Sequence, residues 1–139
     1  MKNVFLGLIA IICFQSCVKE FNSRSFSKNS WMLRKLNGKR LPANVYPYLS
    51  FDGHKIRGTF ACNTYEGSAT ITSDIIKFEN ISSTKKICSG LNDEQTEYLG
   101  LLEKVNGVEV VGSRMFFYVK GKRVMVFYKS ALKDGFGKR

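Results

Sequence analysis

The sequence has one histidine, four cysteines and no apolar run long enough to cross a bilayer. A metal site built on imidazole needs more than His54 alone, so no metal site is predicted. The run from Val4 to Phe14 falls short of the roughly 20 apolar residues of a transmembrane helix, which excludes a spanning anchor. Close carboxylate pairs and nucleophile motifs are also lacking. The sequence therefore predicts no catalytic residue and no cofactor.

Acidic residues are scarce as well. There are 22 Lys and Arg against 11 Asp and Glu, a formal net charge of +11. Nucleic acid is the usual partner of such a charge inside a cell, but the first residues, described next, predict export to the cell envelope, so we expect no nucleic-acid partner. An anionic envelope polymer or an envelope protein is the expected partner. The alternative is a scattered, solvated charge that keeps the chain soluble.

The first residues are typical of an export signal. A basic start, the apolar run and the sequence Phe14-Gln-Ser-Cys17 follow one another as in bacterial lipoprotein signal peptides, whose lipobox they resemble. Residues 1–16 are expected to be removed, which leaves Cys17 as a lipidated first residue and membrane anchor. The alternative is a plain secretory signal with an incidental Cys17. The lipoprotein interpretation places the protein in the bacterial cell envelope, lipid-anchored at the outer membrane.

The mature chain suits one domain. Residues 17–30 are serine-rich and without periodicity, so a lipidated N-terminus and flexible tether are expected there. The domain itself is expected over residues 31–129. Residues 130–139 are expected to form a basic, flexible tail.

Alternating apolar residues and turn dipeptides predict a series of short strands, at residues 31–36, 45–51, 55–60, 67–71, 75–81, 108–111, 114–119 and 123–128. The second strand contains Pro47, so it lies at an edge or starts after the proline. From Asn92 to Val105 the apolar spacing of three and four predicts one helix, with Asn92 as N-cap and Gln95 completing a capping box. The expected fold is mainly β, a β-rich α+β arrangement in which an antiparallel sheet curls into a partly open barrel with one α-helix.

Four segments together resemble one known family. They are Trp31 to Gly38, the motif Gly58-Thr-Phe-Ala-Cys62-Asn63-Thr-Tyr65-Glu-Gly67, the segment Thr84-Lys-Lys-Ile-Cys88, and a helix that carries Glu94, Leu99 and Leu102. In this order they are similar to the META domain, the family of the heat-shock lipoprotein HslJ, over roughly residues 30–128. Ala61 and the pair Lys86-Ile87 depart from the family pattern. The resemblance implies a small, secreted or lipid-anchored β-rich domain without established catalytic activity, associated with envelope stress, secretion or motility.

Cys62 and Cys88 are the cysteines that remain once Cys17 is lipidated and Cys13 has left with the leader. In an oxidising envelope such a pair usually forms a disulfide, which is the prediction here. Two buried free thiols are the first alternative. A redox or nucleophilic role is the second, and it is disfavoured because catalytic pairs usually lie close in sequence or beside a histidine.

Four residues are candidates for ligand binding, namely Asn63, Tyr65, Lys85 and Lys86. The first two can line a small polar pocket, although such residues more often serve a tight strand-to-strand crossing. The two lysines can hold an anion beside Cys88, with a solvated loop as the simpler interpretation. The overall prediction is a non-enzymatic, lipid-anchored envelope protein that binds a partner or gives structural support. The alternative is a carrier of a small apolar ligand in a barrel-like pocket.

Overall fold

The elements of the domain follow one another with mostly short connections. The computed structural model describes Phe26 and residues 29–131, so the expected leader, Cys17 and most of the expected tail lie outside the described residues. The described part holds nine strands and one helix, which are β1 (Ser30–Leu36), β2 (Lys39–Arg40), β3 (Tyr48–Asp52), β4 (Lys55–Phe60), β5 (Asn63–Thr72), β6 (Ile75–Ser83), α1 (Asn92–Leu102), β7 (Gly107–Val111), β8 (Arg114–Val119) and β9 (Lys122–Lys129).

The strands form one antiparallel sheet in the order β2-β1-β3-β4-β5-β6-β7-β8-β9. Strand β1 also pairs with β9 from Trp31 to Leu36, and this pairing turns the sheet into a ring. The strand pairing is shortest between β6 and β7, which share the single residue pair Ile75↔Gly107. The prediction of a mainly β fold with a curled antiparallel sheet and a single helix is confirmed.

Two hairpins depend on residues that accept a left-handed backbone. Asn37 and Gly38 join β1 to β2 with φ of +48° and +83°, and Lys120 and Gly121 join β8 to β9 with φ of +49° and +77°. Positive φ at both central residues is the requirement of the tight turns that match strand twist. The predicted Asn37-Gly38 turn is therefore present, and it is followed by the two-residue strand β2, which the sequence did not predict.

Side chains fill the interior of the ring. The largest fully buried ones are Trp31, Phe60, Tyr98, Phe117 and Phe127. Helix α1 supplies Tyr98, whose ring centroid lies 5.1 Å from that of Phe60, and its Leu102 is also fully buried. The predicted apolar stripe of the helix therefore faces the core, as an amphipathic helix requires.

The start of the helix differs from the prediction. Helix α1 begins at Asn92, the residue before it is Leu91, and no side chain caps it. Instead, Oδ1 of Asn92 accepts the backbone N–H of Cys88 at 2.9 Å, and Oε1 of Gln95 accepts the amide of Asn63 at 2.9 Å. The predicted capping box was wrong because both side chains hold the neighbouring segment and not the helix's own N–H groups.

Two boundaries also differ. Strand β5 begins at Asn63, four residues before the expected start at Gly67, because the polar residues of the motif pair with β4 and do not form a loop. Near the N-terminus, Phe26 lies in the segment expected to be a tether, yet its side chain is buried. Its ring centroid is 5.3 Å from that of Phe51, in an edge-on contact.

Candidate functional site

The β4–β5 hairpin brings the glycine-rich motif against the rest of the ring. Gly58 pairs with Tyr65 across the two strands. A Cβ on Gly58 would lie 2.2 Å from the Tyr65 ring and 2.3 Å from the carbonyl oxygen of Tyr48. Glycine is required at this position because the phenol crosses directly over the backbone. This is the tight strand crossing that the sequence offered as one interpretation of the motif.

A disulfide joins this hairpin to the segment before the helix. Ala61 turns the chain with a left-handed φ of +52°, and the next residue, Cys62, is bonded to Cys88 with a Cα–Cα distance of 5.6 Å. The predicted disulfide is therefore present. Cys88 is buried whereas Cys62 is exposed.

Asn63, next to the disulfide, holds the same segment with its side-chain amide. Its Oδ1 accepts from the Thr84 hydroxyl at 2.7 Å and from the backbone N–H of Lys86 at 2.8 Å. Its Nδ2 donates to the carbonyl of Lys86 at 2.8 Å and to Oε1 of Gln95 at 2.9 Å. The amide is 2% exposed, and these four bonds use its full capacity of two donors and two acceptor lone pairs. Asn63 thus connects β5, the segment before the helix, and α1.

Two buried tyrosines meet beneath this connection. The Tyr65 hydroxyl donates to the carbonyl of Tyr48 at 3.1 Å, and the Tyr65 and Tyr98 oxygens are 2.5 Å apart. Since the single proton of Tyr65 is already donated, Tyr98 must be the donor between the two hydroxyls. Burial, with added repulsion from Tyr98, raises the pKa of Tyr65 well above its ordinary value. Burial also raises the pKa of Tyr98, although its bond to Tyr65 offsets part of the effect.

The comparisons with known proteins identify the family. A family model described as META domain matches residues 24–131, which is most of the chain. The chain belongs to the META domain family. A search of the curated proteins gives no match.

Two solved structures resemble this META domain. An NMR structure of a protein from Burkholderia xenovorans has a TM-score of 0.63 at 18% identity, and the alignment covers 78% of this chain and 86% of that one. A second NMR structure has a TM-score of 0.62 at 18% identity, covering 76% and 92% of the two chains. At this identity the likeness shows a shared fold.

The segment held by Asn63 and the disulfide presents its other side chains outwards. Lys85 and Lys86 are exposed, and Ile87 is 90% exposed, the highest value among the exposed large hydrophobic residues of the described chain. Asn63 binds the main chain of Lys86 on one side of Ile87, and the disulfide fixes Cys88 on the other. Of the predicted binding residues, Lys86 is therefore bonded to Asn63 through its main chain, and Tyr65 lies on the same inward face of β5 as Asn63.

A surface that the sequence did not predict lies beside this segment. One cleft of about 640 Å³ is lined by Arg34, Lys35, Arg40, Leu41, Ala43 and Tyr128. A second cleft of about 330 Å³ is lined partly by Asn44, Tyr46 and Ile87. One lining residue of each cleft contacts the other, because the Arg34 guanidinium lies 5.8 Å from the Tyr46 ring centroid. We call this surface the basic–apolar face and define it by Arg34, Lys35, Arg40, Tyr46, Ile87 and Tyr128.

The remaining candidate features of the META domain are the single histidine, metal-ligand groups and membrane-spanning helices. His54 lies exposed in the β3–β4 turn, with Nδ1 3.4 Å from the carbonyl oxygen of Ala69. Among the residues that the structure describes, no group of three His, Cys, Asp or Glu side chains is placed to hold a metal ion. Within the same residues, no helix has the length and apolar character needed to span a membrane.

Proposed function

We propose that this META domain is a non-enzymatic, lipid-anchored protein of the bacterial cell envelope, of the HslJ-like type. Residues 1–16 form its leader, and Cys17 carries the lipid that attaches it to the outer membrane. Its role is to bind an envelope partner or to give structural support, in connection with envelope stress or secretion. The single observation that carries this proposal is the Cys62–Cys88 disulfide.

The disulfide supports export because thiols in the cytosol are kept reduced, whereas periplasmic and secreted proteins keep their disulfides. The bond links residues 26 positions apart, and a loop of that length is worth roughly 3–4 kcal/mol on the chain-entropy model. Small domains have total stabilities of about 5–15 kcal/mol. A domain that depends on the bond for such a share of its stability is suited to an oxidising compartment.

The binding or structural role is supported by how the chemically capable residues are used. The Asn63 amide has its four hydrogen bonds within the domain. The Tyr65 hydroxyl is buried between Tyr48 and Tyr98, and both sulfurs are in the disulfide. These groups hold the fold together, so each would have to break an internal contact before it could act on a substrate.

The lipid anchor is tested by labelling growing cells of the native bacterium with a radioactive fatty acid. The wild-type chain should incorporate label, and Cys17→Ser should not. Cys13→Ser is the matched control, because that residue lies inside the apolar leader and should leave the incorporation unchanged. Equal labelling of wild type and Cys17→Ser would reject the anchor.

Export is tested separately by thiol alkylation of proteins denatured in acid directly from growing cells, which makes the buried Cys88 accessible. Cys62 and Cys88 should react with a maleimide only after treatment with a reductant. If both react without reductant, the disulfide does not form in the cell and the proposed compartment is wrong.

The carrier alternative gains no support from the interior. The inside of the ring is occupied by aromatic and aliphatic side chains, among them Trp31, Phe60 and Phe117, each at most 1% exposed. The clefts that we describe lie on the outer surface. Native mass spectrometry of the purified chain should accordingly show no co-purifying lipid-sized molecule, and a stoichiometric one would revive the carrier.

A further inference from the structure

We propose that the basic–apolar face docks onto an anionic phospholipid surface, with Ile87 and the two tyrosines at the lipid interface and the basic side chains on the headgroups. The proposal rests on the proposed function only in that the lipid anchor brings the domain to a membrane. It adds which face lies on that membrane and what chemistry it recognises.

The first argument is charge. Arg34, Lys35 and Arg40 line one cleft, and neither cleft of the face is lined by an Asp or Glu. The ion pair between Lys77 and Glu79 lies outside both clefts. Glu97 is bonded to Asn37 in the turn of the same hairpin but lines neither cleft. A concentration of positive charge attracts the anionic headgroups of phospholipids, each basic residue near the surface contributing about a fivefold gain in binding.

The second argument is a conflict within the hairpin. Lys35 and Arg40 are direct cross-strand partners between β1 and β2. Like charges directly opposite one another destabilise a strand pair, and such local conflicts are expected at functional sites. A negatively charged headgroup between the two side chains would turn the repulsion into attraction.

The third argument is the exposed apolar surface. The described chain has five exposed large hydrophobic residues, and three of them, Tyr46, Ile87 and Tyr128, belong to this face at 58%, 90% and 43% exposure. Aromatic residues are enriched at membrane interfaces because one end of the ring is apolar and the other is polar. Basic residues mixed with exposed apolar ones are the composition of surfaces that lie in the headgroup region. A soluble anionic polymer would account for the charges but not for Ile87.

The fourth argument is rigidity. Ile87 is held outwards between two fixed points, the Lys86 main chain bonded to Asn63 and the Cys88 disulfide. A side chain that is ordered before binding loses less entropy when it binds. The hydrogen bonds of Asn63 and the disulfide therefore keep the Ile87 side chain exposed, whereas in a flexible loop it could fold back onto the domain.

The anchor can reach this arrangement. Phe26 is buried in the domain, and the eight residues between it and Cys17 allow a separation of up to about 30 Å when extended. This length leaves room for the domain to turn relative to the bilayer that holds its anchor.

The test is hydrogen–deuterium exchange of the chain as the cell processes it, mixed with vesicles. Phosphatidylcholine vesicles with and without phosphatidylglycerol are compared, and the readout is exchange in residues 39–46 and 85–91. We expect these segments to exchange more slowly only on the vesicles with phosphatidylglycerol, and the protection to weaken at high salt because charges are screened. Equal protection on both vesicle types, or none on either, would overturn the proposal.

Variants make the test specific. Ile87→Ser should lower docking about tenfold through lost apolar burial, and Arg40→Glu about 25-fold through two units of charge. Arg40→Glu also converts the repulsive pair with Lys35 into an attractive one, so stability against urea should hold or rise while docking falls. Lys104→Glu is the matched control, since this exposed lysine lines neither cleft. Loss of docking equal to that of Arg40→Glu in this control would mean that net charge alone is responsible.

Two further outcomes separate this proposal from others. If the segments are protected by a soluble anionic polymer such as polyphosphate but not by vesicles, the ligand is a polymer and the membrane proposal is wrong. If fatty-acid labelling fails while vesicle docking persists, the proposed anchor is wrong and the docking face stands. Labelling without docking removes the face and leaves the anchor.

Discussion

Replacing Asn63 by aspartate tests how much of the fold depends on one buried amide. The side chains have the same shape, so Asn63→Asp leaves packing intact and exchanges the Nδ2 donor for an oxygen. That oxygen would face the carbonyl of Lys86 and Oε1 of Gln95, which now lie 2.8 and 2.9 Å from a donor. Two hydrogen bonds become two contacts between acceptors.

The magnitude follows from the two acceptors left unpaired. Each buried polar group without a partner costs about 1–3 kcal/mol, and the Gln95 amide can rotate to recover one bond. The carboxylate would keep the donors from Thr84 and from the Lys86 N–H, which partly compensate its charge. We expect a loss of about 3–5 kcal/mol in the free energy of unfolding at neutral pH. This is a large part of the total of about 5–15 kcal/mol for a small domain.

The stability of Asn63→Asp should depend on pH in a direction that can be predicted. Burial and neighbouring acceptors would raise the pKa of the introduced carboxyl above that of an unfolded aspartate. A group with a raised folded pKa favours the folded state at low pH, so the variant should regain stability as the pH falls towards 5. The measurement is urea unfolding of the oxidised protein by circular dichroism at several pH values. Asn44→Asp makes the same charge change at an exposed position. A loss no larger than in that control would refute the assigned role of Asn63.

Three further predictions concern close packing and the buried phenols. Gly58→Ala should lower the free energy of unfolding in urea by at least about 3 kcal/mol, because its Cβ would lie 2.2 Å from the Tyr65 ring and the contact with backbone cannot relax. Gly100→Ala, with open space around the added methyl, should raise it by about 0.5–1 kcal/mol, and equal effects of the two variants would contradict the packing. In a spectrophotometric titration of tyrosinate, Tyr65 and Tyr98 should stay protonated above pH 10. The free energy of unfolding should fall as the pH rises through 10, because these phenols ionise in the unfolded chain and not in the folded one. If all six tyrosines of the folded protein titrate together, this prediction is wrong. Tyr65→Phe should destabilise the fold more than Tyr98→Phe does, by about 1–3 kcal/mol. Tyr65→Phe leaves the Tyr98 hydroxyl without an acceptor, whereas Tyr98→Phe leaves Tyr65 bonded to Tyr48. The reverse order would show that Tyr98 is not the donor between the two hydroxyls.

Features with a local signal were predictable from the sequence. The turn at Asn37-Gly38 has a dipeptide preference that acts over two residues, and the apolar stripe of α1 repeats within one helix. The disulfide was predictable from cysteine count and compartment. The start of β5 was not, because the polar motif from Asn63 onwards has no apolar alternation and becomes a strand only by pairing with β4.

Features that arise from ring closure had no local signal. The basic–apolar face combines side chains at positions 34, 46, 87 and 128, which come from the first strand, two loops and the last strand. The capping residues of α1 were misassigned for a related reason, since Asn92 bonds Cys88 and Gln95 bonds Asn63. The local sequence preference favours a helix cap, but in the folded domain both side chains make tertiary hydrogen bonds instead.

The pairing of β1 with β9 has a consequence for how the protein is made. The backbone N–H of Ser130 donates to the carbonyl of Ser30 at 2.7 Å, so the two ends of the domain lie side by side. A growing chain cannot complete its first strand's hydrogen bonds until about a hundred further residues have left the ribosome, and contacts of such sequence separation form slowly. The ring therefore cannot close until synthesis of the domain is almost complete, even though β1 can pair earlier with β2 and β3.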